Sequence, residues 1–293
     1  MSRTASDTTA GYYQGVPGLG LARWMLGASE RLSPSLAVRV ADRVFCTPLP
    51  LKWMNRPKAW NGWQIERWPF ENAGLALYAR PADSDAPVAL LAHGWGGHAA
   101  QMLPLALALE QHGLRPLLLD MPAHGRSAGG ASNLPQFARA LEYVAQLLVQ
   151  QGRTLRLVAA HSLGANAAAF AVARGLPAER LALLAPPASP RAYTRYFAQM
   201  FGLRETTRAA MQQRVEAREG VLMTQFEPAA VGARVRVPTL LVHDREDRIN
   251  RFADSQAYAD HIAQARLLAT QGLGHRKILR DTQVLEEVAR FAA

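Results

Sequence analysis

The feature that most constrains this chain is a rhythm: beyond about residue 60, short apolar runs of strand length recur, separated by longer segments with helical spacing. Parallel strands need a crossover between neighbours, and helices covering both faces of such a sheet leave its strands apolar throughout. The runs are PVALLAH (87–93), RPLLLD (115–120), LRLVAA (155–160), LALLAP (181–186), PTLLVHD (238–244) and ARLLAT (265–270). An antiparallel pair precedes them, WQIERWPF (63–70) and GLALYAR (74–80), joined at the turn signal Glu71-Asn72-Ala73-Gly74. Apolar residues three and four apart predict helices near 98–112, 134–151, 163–175, 251–264 and 283–292. The expected class is α/β, a mostly parallel sheet of these eight strands with helices on both faces.

Two regions break the rhythm. Residues 1–60 carry apolar helical patterns around 17–30 and 34–46, then TPLPLKWMNRPKAWNGW, where prolines and Asn61-Gly62 oppose regular structure. They are expected to form a helical extension packed on the core of a domain spanning 61–293. Residues from about 187 to 236 intrude between the sixth and seventh strands with helical, arginine-rich sequence, a candidate small helical cap.

Composition narrows the function classes. With 293 residues, 49% of them hydrophobic and 19% charged, the chain can bury a large core. Its one cysteine, Cys46, excludes an intrachain disulfide and a cysteine-rich zinc site, so a cytoplasmic location is expected. No basic cluster leads into an apolar core at the start, and no apolar stretch reaches the roughly 20 residues that span a bilayer. Neither export nor an integral membrane segment is expected. The net charge of +10 is dispersed, with no basic stripe or nucleic-acid motif, so nucleic acid is not an expected partner. No metal-ligand cluster or phosphate-cradling glycine loop stands out, and no cofactor is expected. Oligomeric state is not legible.

The chemistry is concentrated at strand ends. In LVAAHSLGAN (157–166), Ser162 ends an apolar strand and opens a helix, with Ala160 and Gly164 two positions to either side. Small flanking residues suit a nucleophile thrust out on a strained strand-to-helix turn. A serine at such a junction also suits a helix N-cap, and these ten residues do not separate the two. Farther back, LLAHGWGG (90–97) ends a strand in a glycine-rich turn whose backbone N–H groups can point into a site. The N–H groups of Trp95 and Leu163 are the natural pair to stabilise an oxyanion formed when a serine attacks a carbonyl.

Taken in order, HGWGG (93–97), DMPAHGRS (120–127), AHSLG (160–164), HDRED (243–247) and GLGH (272–275) resemble the α/β-hydrolase fold over residues 63–293. The resemblance implies Ser162 as nucleophile, an acid after the seventh strand and a histidine after the eighth. Asp244, Glu246 and Asp247 are candidates for the acid; the family's usual spacing selects Asp247 and makes Asp244 a turn residue. It also implies His275 as general base, with His93 and His161 structural. Ala160 departs from the family's usual first glycine by one methyl. Serine in place of the aspartate nucleophile of some members points to acyl transfer.

The expected activity is hydrolysis of a carboxylic ester or thioester of a small, largely apolar acyl compound through an acyl-enzyme. Phe197, Phe201 and Met223 of the cap are candidate substrate contacts. The cap arginines Arg191, Arg195, Arg204, Arg208, Arg214 and Arg218 fit either an anionic substrate group or a solvated face. The alternatives are a ligand-binding member of the fold without turnover, or a carbon–carbon bond hydrolase, amidase or acyltransferase using the same residues.

Overall fold

In the computed structural model, which describes residues 19–49, 60–81 and 85–293, the apolar runs form one eight-stranded sheet. The strands are β1 (Gln64–Phe70), β2 (Ala73–Ala79), β3 (Val88–Ala92), β4 (Arg115–Asp120), β5 (Leu155–His161), β6 (Arg180–Leu184), β7 (Thr239–Asp244) and β8 (Ala265–Thr270). Their spatial order is β1-β2-β4-β3-β5-β6-β7-β8. Only the pairings of β1 with β2 and of β2 with β4 are antiparallel. The chain runs from β3 to β4 on one side, then returns to lay β5 on the other side of β3. That reversal opens a crevice at the carboxyl ends of β3 and β5, where open α/β sheets bind ligands.

The two-residue period of the strands divides the core. Leu90, Ala92, Val158 and Ala160 pack with the helices Leu134–Gln150 and Leu163–Ala173. Their neighbours Ala89, Leu91, Leu157 and Ala159 pack with the helices Leu103–Gln111 and Thr282–Ala292 on the opposite face. The helix Leu163–Ala173 is buried from Gly164 through Val172. Its alanines allow close approach to the sheet, and Phe170 stacks on Phe226 with ring centroids 3.9 Å apart. Asn133 and Asp281 cap two of the covering helices, accepting from the amides of Gln136 at 2.8 Å and Val284 at 3.0 Å.

Between β6 and β7 the inserted segment forms the helices Pro190–Phe201 and Glu205–Glu219. Each ends at a left-handed glycine, Gly202 (φ 70°) and Gly220 (φ 66°). Short turns from Met223 to Arg234 complete the segment.

The N-terminal helices Leu19–Leu32 and Pro34–Phe45 lie on this insertion, whereas the sequence led us to expect them on the core of the sheet domain. Leu26 and Ala41 bury themselves against Phe197, Phe201 and Met211. Polar contacts reinforce the seam: Arg23 donates to the Met200 carbonyl at 2.7 Å, and Thr207 donates to Glu30 at 2.6 Å. The carboxylate of Asp42 receives Arg214 at 3.1 Å and Arg218 at 2.7 Å. Arg191, Arg204 and Arg208 likewise pair with Glu227, Glu30 and Glu205. Five of the six cap arginines are thus engaged within the protein, and their task is to hold helices together. Residues 17–18 of the first expected helix and 50–59 of the proline-rich stretch lie outside the described residues.

No helix among the described residues is long and apolar enough to cross a membrane. Because Asp42 is nearly buried between two guanidinium groups, Asp42→Ala should lower the unfolding free energy by about 2 kcal/mol. Urea denaturation followed by tryptophan fluorescence measures it.

Candidate active site

Ser162 stands at the carboxyl end of β5, in the crevice where the strand order reverses, with φ 53° and ψ −126°. Left-handed backbone is strained for a residue with a side chain and survives only where the surroundings enforce it. Two glycines provide the enforcement. A Cβ on Gly94 would fall 2.7 Å from the Ser162 Cβ, and one on Gly164 would collide with the His93 carbonyl oxygen. Ala160, fully buried within its strand, is accommodated. The Ser162 side chain makes no capping hydrogen bond to the helix that follows. Its hydroxyl faces His275 instead.

That contact is the first step of a relay. Ser162 Oγ lies 3.1 Å from His275 Nε2, and His275 Nδ1 lies 2.7 Å from Asp247 Oδ2. The turn after β7 supplies the carboxylate, which accepts the amides of Ile249 at 2.7 Å and Asn250 at 3.0 Å on Oδ1. Burial pushes the Asp247 carboxyl up, but hydrogen bonds from His243, His275 and Ile249 outweigh it and hold the group well below the usual carboxylate range. It is therefore ionised at any ordinary pH. Asp244 accepts the amides of Glu246 and Leu273, at 3.0 Å each, and the Thr270 hydroxyl at 2.8 Å. It ties the β7 and β8 turns together, as a turn residue does.

The remaining histidines of the motifs build the walls. His93 accepts the Met121 amide at Nε2 (3.0 Å) and donates from Nδ1 to the Gly94 carbonyl (2.7 Å). His124 receives the Gly96 amide at 2.9 Å, fixing the glycine-rich turn from its other side. Asp120 accepts from the Ala99 amide, the Arg126 amide and the Tyr78 hydroxyl, each at 2.7 Å. His161 holds the His275 loop by donating to the His275 carbonyl at 2.9 Å. Burial, then the neighbouring His275, pulls the His161 imidazole well below its ordinary range, so it stays neutral.

Sequence reasoning missed two contributors. His243, fully buried, reaches Asp247 Oδ2 at 3.3 Å, while Ser255 donates to its Nδ1 at 2.6 Å. Asn250 is 1% exposed; its amide nitrogen donates to the Ala185 carbonyl at 2.6 Å and lies 3.4 Å from Ser162 Oγ, and its oxygen accepts the Tyr193 hydroxyl of the insertion. No sequence signal marks Asn250 beyond its place three residues after Asp247.

Two clefts meet at Ser162, sharing Trp95, Ser162 and Ile249. One is apolar, walled by Phe45, Leu134, Tyr193, Phe197, Met223 and Phe226. The other holds His275, Gln101 and the glycine turn, with Arg276, Lys277 and Arg280 at its edge. Trp95 and Leu163 both line the apolar cleft beside the serine. Phe197 and Met223 line it too, but Phe201 does not: it is packed between the insertion and the N-terminal helices, with its ring 4.6 Å from that of Phe197. Phe201 is consumed in covering the extension, a use invisible while that extension's position is unknown.

The sheet order and the serine turn define an α/β hydrolase. A family model described as serine aminopeptidase, S33, matches residues 83–229, about half of the chain; the chain belongs to this family and is a hydrolase. Its fold is similar to that of the esterase Pf2001 of Pyrococcus furiosus (19% identity, TM-score 0.61, covering 81% of this chain and 96% of that one). A membrane phospholipase A described as a bacterial virulence factor is also similar (19% identity, TM-score 0.57, 93% and 95%). So is the thioesterase domain of the curacin biosynthetic pathway (18% identity, TM-score 0.55, 79% and 99%). No curated protein matches in sequence.

Burial pulls His93 down to about 4 from its ordinary value of 6.5, only partly offset by Asp120 at 4.0 Å. The unfolded chain therefore binds the extra proton first as pH falls. Stability from this group is complete above pH 6.5 and is lost as pH drops toward 4, by about 3 kcal/mol. Urea midpoints measured at steps from pH 7 to 4.5 should fall, and His93→Gln should flatten that slope.

Proposed function

We propose that this hydrolase cleaves a carboxylic ester or thioester of a small, largely apolar acyl compound through an acyl-enzyme. The observation carrying the reading is the relay from Ser162 through His275 to the ionised Asp247, with the serine hydroxyl turned away from capping its helix. In this reading His275 takes the hydroxyl proton as Ser162 attacks the carbonyl carbon. Asp247 holds the imidazole in the tautomer with Nδ1–H and stabilises the imidazolium. The Trp95 and Leu163 amides receive the oxyanion; Leu163 opens its helix, so its N–H has no acceptor four residues back in that helix. His275 then protonates the leaving oxygen or sulfur, and water, activated by the same imidazole, releases the acid. Asn250 directs its amide nitrogen at the serine oxygen, 3.4 Å away.

An acyl chain fits the apolar cleft that Phe197 and Met223 help to wall. Glu216 is the single carboxylate on that cleft, and its Oε1 already accepts Gln212 at 3.0 Å and the Met223 amide at 2.9 Å. The esterase, phospholipase and thioesterase named in the titles of the similar structures are consistent with this chemistry.

A panel of p-nitrophenyl esters of graded chain length, acyl thioesters and aminoacyl anilides tests the reading. Esters or thioesters should turn over and anilides should not; the reverse order refutes it. Ser162→Ala and His275→Ala should remove nearly all activity, and Asp247→Asn should lower kcat by about 10⁴ with the fold intact. Asn250→Ala should lower kcat by about tenfold with little change in KM, the loss of one hydrogen bond near the reacting oxygen.

A further inference from the structure

The proton carried by His275 must reach the leaving group, so the departing oxygen or sulfur sits at Nε2 and the rest of that group extends over the His275 side of the serine. Of the two clefts, the one edged by Arg276, Lys277 and Arg280 contains His275 and the apolar one does not. The acyl chain thus belongs in the apolar cleft and the leaving group in the His275 cleft.

The His275 cleft is basic at its edge. Arg276, Lys277 and Arg280 fall within five residues of one another along it, all exposed, and no acidic residue lines it. None of the three forms an ion pair with a described carboxylate, whereas five of the six cap arginines are paired within the protein. The adjacent acid, Asp281, caps a helix, accepting the Val284 amide at 3.0 Å. Three such cations beside a leaving-group site match an oxyanion with several acceptor oxygens, as a phosphate has.

Resting on the reading above, we propose that the His275 cleft is a leaving-group subsite for a phosphate-bearing alcohol or thiol. The substrate is then an acyl ester or thioester with an apolar acyl chain and an anionic phosphate on the departing half. Ser162 Oγ bonds to the acyl carbon as the carbon–oxygen or carbon–sulfur bond breaks, and the serine proton passes through His275 to the leaving atom. Water then adds its oxygen to the acyl carbon and returns a proton to Oγ through His275. The products are the carboxylic acid and the phosphate-bearing alcohol or thiol.

The test compares kcat/KM for three substrates with the same acyl chain: the p-nitrophenyl ester, the coenzyme A thioester and the 1-acylglycerol 3-phosphate. The selectivity for a phosphate-bearing substrate over the p-nitrophenyl ester is the readout. In the triple variant Arg276→Gln/Lys277→Gln/Arg280→Gln that selectivity should fall about tenfold, the size that three exposed charge pairs contribute together. Higher ionic strength should reduce it in the unaltered protein. Removing equal charge away from either cleft, in Arg39→Gln/Arg236→Gln/Arg245→Gln, should leave it unchanged. The phosphate substrate whose selectivity falls identifies the leaving group as a thiol carrier or a lipid head. An unchanged selectivity for both, with the p-nitrophenyl ester still hydrolysed, overturns the subsite and spares the esterase reading. Failure to hydrolyse any of the three overturns both.

Discussion

Everything at this site depends on a backbone that a serine does not adopt unaided. Ser162 is held with φ 53° where β5 turns into its helix, and only the absence of side chains at Gly94 and Gly164 lets the neighbouring strand end come close enough to hold it there. The conformation aims the hydroxyl away from the helix amides it would otherwise cap, toward the loop that carries His275. Around it, buried imidazoles act as struts: His93 and His124 span the glycine turn, and His161 fixes the His275 loop. Polar groups in so dry a place survive because each has its partner.

The sheet was legible because buried parallel strands must be apolar along their whole length, a pattern that survives without any knowledge of tertiary contacts. The positions of Ser162, Asp247 and His275 were legible for a related reason, since each follows a strand and strand ends converge at the crevice where the sheet order reverses. The Asp244 and Asp247 alternatives separate in the structure by what each carboxylate touches: turn amides and Thr270 for the first, His275 and His243 for the second.

What the sequence hid concerns segments whose partners lie far along the chain. Phe197 and Phe201 are both aromatic and four residues apart on one helix, yet Phe201 is buried beneath the N-terminal helices and Phe197 also borders the cleft. Their covering residues, Leu26 and Ala41, arrive from more than 150 residues away. The cap arginines were ambiguous for the same reason, Asp42 and Glu30 being their distant counter-charges. Asn250 and Tyr193 meet across the base of the insertion, coupling the cap to the nucleophile through a single amide side chain. In charge terms the molecule pairs five of its six cap arginines internally and gives the cations beside His275 no ion pair among the described carboxylates.

Treating the folded protein with a fluorophosphonate and locating the adduct by peptide mass spectrometry shows whether Ser162 is an activated nucleophile. One stoichiometric adduct is expected, on Ser162, lost when His275 is replaced by alanine or the protein is unfolded. An unmodified Ser162 in the folded protein, or an adduct on a different residue, overturns that assignment.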